Sequence, residues 1–186
     1  MTNVHIWTPL RLKFDDLQET LQTHPSFANG KIKSLKLHYR SELTADHLYT
    51  ICTTALLERN QKSVHVLAYD DDEIEEGCGL ETLEVNIKHL VNLTKVHPQL
   101  YFLFADFIDY LYEVDATYTH YEITNFKHST NELVREHPRK TFYKDFRGLI
   151  DGEDCDCYNN PNEEGMKKVC QELTQVFAER APPGAF

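Results

Sequence analysis

Three short runs near the start of the chain, residues 4–7, 35–40 and 64–69, place aliphatic side chains on one parity and polar or aromatic ones on the other. Period two is the signature of a β-strand, whose side chains alternate across the sheet. Val4, Ile6, Leu35, Leu37, Val64 and Val66 therefore belong to one face. His5, Trp7, Lys36, His38, Arg40, His65 and Tyr69 belong to the other, a face rich in imidazole and aromatic rings. Residues 100–104 are apolar on both parities and predict a central strand covered on both sides.

Helical spacing separates these runs. Leu48, Ile51, Cys52, Ala55 and Leu56 recur at the three-and-four spacing of one helix face and predict a helix over 45–59, capped by Thr44. Leu80, Leu83, Ile87, Leu90 and Val91 predict a second over 80–95. Met166, Val169, Cys170, Leu173 and Phe177 predict a last helix, entered through Asn162 as its cap. Shorter helices are expected at 14–23 and 130–136. His24-Pro25, His97-Pro98 and His137-Pro138 read as stops, because the residue before a proline is driven out of helical geometry. Before the last of these stops, residues 108–114 and 118–126 are dense in aromatic and β-branched side chains and predict a hairpin, with a further strand at 140–146.

The expected order is thus β-α-β-α-β-α-β-β-β-α-β-α. Alternation in the front half calls for crossovers and parallel pairing, and the hairpin adds an antiparallel extension. The expected class is α/β to α+β, a single-domain mixed β-sheet flanked by helices. Residues 1–180 would form the globular domain and 181–186 a flexible C-terminal tail; a chain of 186 residues suits one core.

Charge narrows the function classes. Nineteen Lys and Arg against thirty Asp and Glu leave −11, which opposes phosphate backbones and anionic lipid surfaces, so neither nucleic acid nor membrane is an expected partner. Residues 1–14 carry no secretory pattern, and the longest apolar run, 100–105, is too short for a bilayer. Five cysteines, an odd number, fit a reducing compartment, and a cytoplasmic location is expected. There is no paired C-x-x-C, no calcium-loop spacing and no glycine-rich phosphate loop, so no cofactor is expected.

Two features point to binding. Asp70, Asp71, Asp72, Glu73, Glu75 and Glu76 form an acid run directly after a strand, and Tyr110, Tyr112, Tyr118 and Tyr121 alternate with carboxylates further on. Tyrosine gives large contact area with a polar tip and is enriched at interfaces. These residues suggest a non-enzymatic acidic protein-binding module, an inhibitor or immunity-type partner of a basic protein. The alternative is a small metal-dependent phosphoryl-transfer or hydrolytic enzyme using the same acid run, because carboxylates beyond a strand's carboxyl end can hold a cation and activate a substrate. His5, His38 and His65 would make an open zinc site if their strands were neighbours in register. The favoured reading is half-exposed strand histidines covered by Trp7 and Tyr69, with no metal.

Overall fold

The computed structural model describes residues 1–40, 45–74, 79–109, 118–156 and 161–186, the side chains of Ala45 and Asp46 excepted. Five strands, β1 (Thr2–Thr8), β2 (Ile32–Tyr39), β3 (Ser63–Tyr69), β4 (Leu100–Asp106) and β5 (Thr141–Asp145), alternate with helices. These are α1 (Phe14–Thr23), α2 (Ala45–Leu57), α3 (Leu80–Val96), α4 (His120–Arg135) and α5 (Glu163–Arg180). The strands form one five-stranded sheet in the order β2-β1-β3-β4-β5. Every neighbouring pair in it is parallel.

The expected class holds: this is a single-domain α/β fold with helices flanking the sheet. The middle of the expected order does not. Residues 120–126 lie in α4, and no antiparallel hairpin extends the sheet among the described residues. The expected strand at 108–114 falls largely on residues outside those described. The buried stripe of α4 is Ile123, Phe126, Lys127, Thr130 and Val134, so a lysine and a threonine sit where the helical period needs apolar groups. That interruption hid the helix behind its aromatic residues.

The two parities of the strands become two cores. Val4, Ile6, Val64, Val66 and Leu103 pack against α1 and α5 with Leu17, Val169 and Phe177. On the other face Trp7, Leu67, Tyr69, Phe102, Phe104 and Tyr143 pack with Ile51, Leu83, Ile87 and Phe126 of α2, α3 and α4. β1, β3 and β4 are buried at every position, as central strands covered on both sides must be. α1, α3 and α4 end at Thr23, Val96 and Arg135, each just before a His-Pro pair.

Within the last six residues, Ala185 and Phe186 pack back onto the domain. Ala185 is buried, its carbonyl accepts the Thr2 hydroxyl at 2.7 Å, and Phe186 packs its ring edge against Phe27. No helix among the described residues is long and apolar enough to cross a membrane.

Candidate active site at the carboxyl edge of the sheet

In an open parallel sheet, ligands bind outside the carboxyl ends of the strands, where the chain reverses its direction of winding. With the order β2-β1-β3-β4-β5, that reversal lies between β1 and β3. The residues leaving these strand ends are Thr8 from β1, Arg40 beyond β2 and Asp70 beyond β3.

Arg40 spans this crevice. Its backbone N–H donates to the Thr8 carbonyl at 2.9 Å, and its guanidinium donates to the Ala68 carbonyl at 2.6 Å and pairs with Glu73. Both side chains of the ion pair are withdrawn from solvent, and Arg40 Nε–H meets no acceptor among the described residues. Asp70 stands beside this pair. Burial, and then the like charges of Asp72 and Glu73, push its carboxyl up to about 6, against a smaller opposing pull from Arg40. A carboxylate so placed holds its proton to near neutrality and can give or take one there.

Of the acid run, Glu73 is buried and Asp70 and Asp71 are half-buried, while Asp72 is exposed. Glu73 is buried on Arg40, Asp71 accepts the Asp109 N–H at 3.0 Å, and Asp70 accepts the Asp72 N–H at 3.1 Å. These carboxylates serve different partners, so the run gathers no cage of oxygens for a cation among the described residues. Glu75 and Glu76 lie outside the described residues, as do Tyr110 and Tyr112. Tyr118 is half-buried at the start of α3, where its hydroxyl accepts the Leu80 N–H at 3.1 Å and donates to Glu81. Tyr121 is exposed on α4.

A second polar cluster lies further along the same edge, at the carboxyl ends of β4 and β5. Lys127 donates to Asp106 at 2.9 Å and Asp145 at 3.1 Å, and the Tyr143 hydroxyl donates to Asp106 at 2.7 Å. Burial raises the Asp106 carboxyl even against the neighbouring ammonium. The buried Tyr69 hydroxyl meets no partner among the described residues. Sequence reasoning missed this cluster; the available signal was Lys127 on the buried stripe of a helix.

The three histidines do come together, one pleat away from the crevice. The register sets His5 opposite His65, and Trp7 opposite His38. His5 and His65 are fully buried instead of half-exposed, because α2 and the segment after it cover this face, whereas His38 is half-buried against Trp7. His5, Glu58 and His65 bring one ligand-type atom each within 4.8 Å of one another. However, the His5 and His65 rings stack with centroids 4.6 Å apart and planes within 4°, so their in-plane lone pairs run side by side. A zinc ion needs lone pairs that converge at about 2.1 Å. In addition Trp7 Nε1–H donates to His65 Nδ1 at 3.1 Å, which leaves the proton of the neutral ring on Nε2 as a donor. Burial keeps His65 well below its ordinary range and therefore neutral.

No family model matches the chain, and no curated protein matches its sequence. Two solved structures share its fold over nearly all of both chains. One is described as a member of the lipolytic protein G-D-S-L family from Veillonella parvula DSM 2008, with TM-score 0.65, 11% identity, and 96% of this chain and 100% of that chain covered. The other is a putative lipolytic protein of the G-D-S-L family from Desulfitobacterium hafniense DCB-2, with TM-score 0.55, 16% identity, and 94% and 98% covered. These matches overturn the expectation of a non-enzymatic binding module of the inhibitor or immunity type. The architecture is one carried by proteins described as lipolytic, and Asp70 and Glu73 of the acid run that motivated the binding reading stand at the carboxyl edge of its sheet. This chain contains no Gly-Asp-Ser-Leu run.

Proposed function

We propose that the protein is a hydrolase of carboxylic esters acting at the carboxyl edge between β1 and β3, with Asp70 as its general base. Two observations at one strand edge carry this reading: Asp70 is poised at about 6 beside Arg40, and Arg40 Nε–H is a buried donor without an acceptor among the described residues. The likeness in fold to proteins described as lipolytic supports the reaction class.

In this mechanism ionised Asp70 takes a proton from water as the water oxygen adds to the ester carbonyl carbon. Arg40 donates to the oxyanion that develops, where a donor already in place costs no reorganisation. Collapse of the tetrahedral adduct breaks the carbon–oxygen bond to the alcohol, and protonated Asp70 returns its proton to the departing alkoxide. Water is the nucleophile in this scheme, so no serine of a Gly-Asp-Ser-Leu run is required. Cys52, Cys155 and Cys170 are free thiols, which supports a reducing, cytoplasmic setting.

The test is hydrolysis of p-nitrophenyl esters of graded acyl length by the purified protein and by Asp70→Asn. Loss of the general base is expected to lower kcat by about 10²- to 10⁴-fold with KM little changed. Equal rates for the two proteins would remove Asp70 from the mechanism.

A further inference from the structure

Glu58, His5 and His38 form a directed chain of hydrogen bonds that the carboxyl-edge mechanism does not use. His5 Nε2 lies 2.8 Å from Glu58 Oε2, and His5 Nδ1 lies 3.0 Å from His38 Nε2. The His5 and His38 ring planes are within 7° and the centroids are 5.3 Å apart, so with the two nitrogens 3.0 Å apart the rings meet end to end and the bond lies close to both planes. The proton positions follow from the chemistry of the groups. Ionised Glu58 can only accept, so His5 carries its proton on Nε2; neutral His5 then offers a lone pair at Nδ1, and His38 must donate from Nε2. His38 is left with a lone pair on Nδ1 in a half-buried ring stacked on Trp7 with centroids 3.8 Å apart. Asn3 and Lys36 also donate to Glu58, at 3.5 and 3.4 Å, and hold its carboxylate in place.

We propose that His38 Nδ1 is a second reactive centre, an acyl acceptor for small acyl anhydrides and pyrocarbonates, positioned and assisted by His5 and Glu58. Nδ1 adds to the acyl carbon, the carbon–nitrogen bond forms, and the bond to the leaving oxygen breaks. The leaving group departs as an anion and is protonated by solvent. His38 Nε2–H passes its proton to His5 Nδ1, and His5 Nε2–H passes its proton to Glu58, which releases it to water. Water then cleaves the acyl-imidazole to the free acid and restores the original tautomers. The arrangement is that of a nucleophile, a base and an orienting carboxylate.

Burial, and then His5 from β1 and Lys36 from its own strand, push the His38 pKa down to about 4, against a smaller opposing pull from Glu58 after α2. At pH 5 His38 is thus the free base, while an ordinary exposed histidine, titrating near 6.5, is mostly protonated. The internal reference for reactivity is His128, 69% exposed on α4 with its Nε2 3.1 Å from Glu132. The experiment is peptide mapping after brief diethyl pyrocarbonate treatment of the intact protein at pH 5, on wild type, His5→Gln, Glu58→Gln and Asp70→Asn.

Acylation of His38 at least about tenfold faster than His128 is expected in wild type and in Asp70→Asn, falling toward the His128 rate in Glu58→Gln and His5→Gln. Circular dichroism identifies any variant that fails to fold, and the wild-type comparison with His128 stands without the variants. A His38 rate no greater than that of His128, or one unchanged by Glu58→Gln in a folded protein, would overturn the proposal. Because Asp70 takes no part, esterase activity lost in Asp70→Asn with His38 labelling retained separates this centre from the carboxyl-edge site.

Discussion

Arg40 and Glu73 form an ion pair with both side chains withdrawn from solvent, tying the end of β2 to the turn that follows β3 across the end of β1. Removing one member of such a pair leaves the other charge buried and uncompensated. Glu73→Gln and Arg40→Met are therefore each expected to destabilise the protein by about 3–5 kcal/mol. Urea unfolding measures this directly. A loss within the small range of ordinary surface substitutions would mean that the pair does not hold the crevice together.

Lys127 makes the same argument at the carboxyl ends of β4 and β5. It bridges Asp106, which is fully buried, and Asp145. Lys127→Met should push the Asp106 carboxyl further up, because the cation that opposes desolvation is gone while Tyr143 and the Ile108 N–H remain. Infrared bands of isotope-labelled aspartate would show more protonated carboxyl at neutral pH in the variant than in wild type. Identical spectra would contradict the bridge.

Asp70 links activity to stability. Its carboxyl lies at about 6 in the folded chain against an ordinary 3.8, so the folded state keeps a proton that the unfolded state releases between those values. Its contribution is most favourable below about pH 4 and is lost as pH rises through about 6. Asp70→Asn should then be more stable than wild type above pH 6, by on the order of 2 kcal/mol, with the difference vanishing toward pH 4. Unfolding midpoints measured from pH 4 to 8 test the sign. A variant less stable than wild type at pH 8 would contradict it.

The histidine stack has the opposite dependence. Burial lowers His5 and His65, and His38 is lowered to about 4, so the folded state refuses protons that the unfolded chain takes up below its ordinary 6.5. Stability is fully present above that value and declines as pH falls from about 6.5 toward 4. His38→Gln should lose less stability than wild type over this interval, by on the order of 2 kcal/mol after allowing for solvent at a half-buried ring. Parallel pH profiles of unfolding for the two proteins would refute the assignment.

Much of the scaffold was legible because its signals are local. The parity of Val4, Ile6, Val64 and Val66 against His5, Trp7, His65 and Tyr69 appears intact as two cores, one on each face of the sheet. α3 and α5 were evident because their stripes are continuous, and α4 was not because Lys127 and Thr130 interrupt its own. The sites were far less legible. Asp70 was visible as part of an acid run, but its value near 6 depends on burial and on Glu73 being drawn under Arg40. Glu58 follows α2 and lies 53 residues from His5, so only the folded chain brings it to the imidazole. The stacking of His5 on His65 depends on strand register, to which residue type alone is blind.

The central claim is that Asp70 acts as a base at the carboxyl edge, and the pH dependence of kcat/KM for a p-nitrophenyl ester tests it most directly. Activity requires the ionised carboxyl, so kcat/KM should rise tenfold per pH unit below about 6, level off above it, and lose this limb in Asp70→Asn. A profile governed by a group near 4, or one that Asp70→Asn leaves unchanged, would contradict the account.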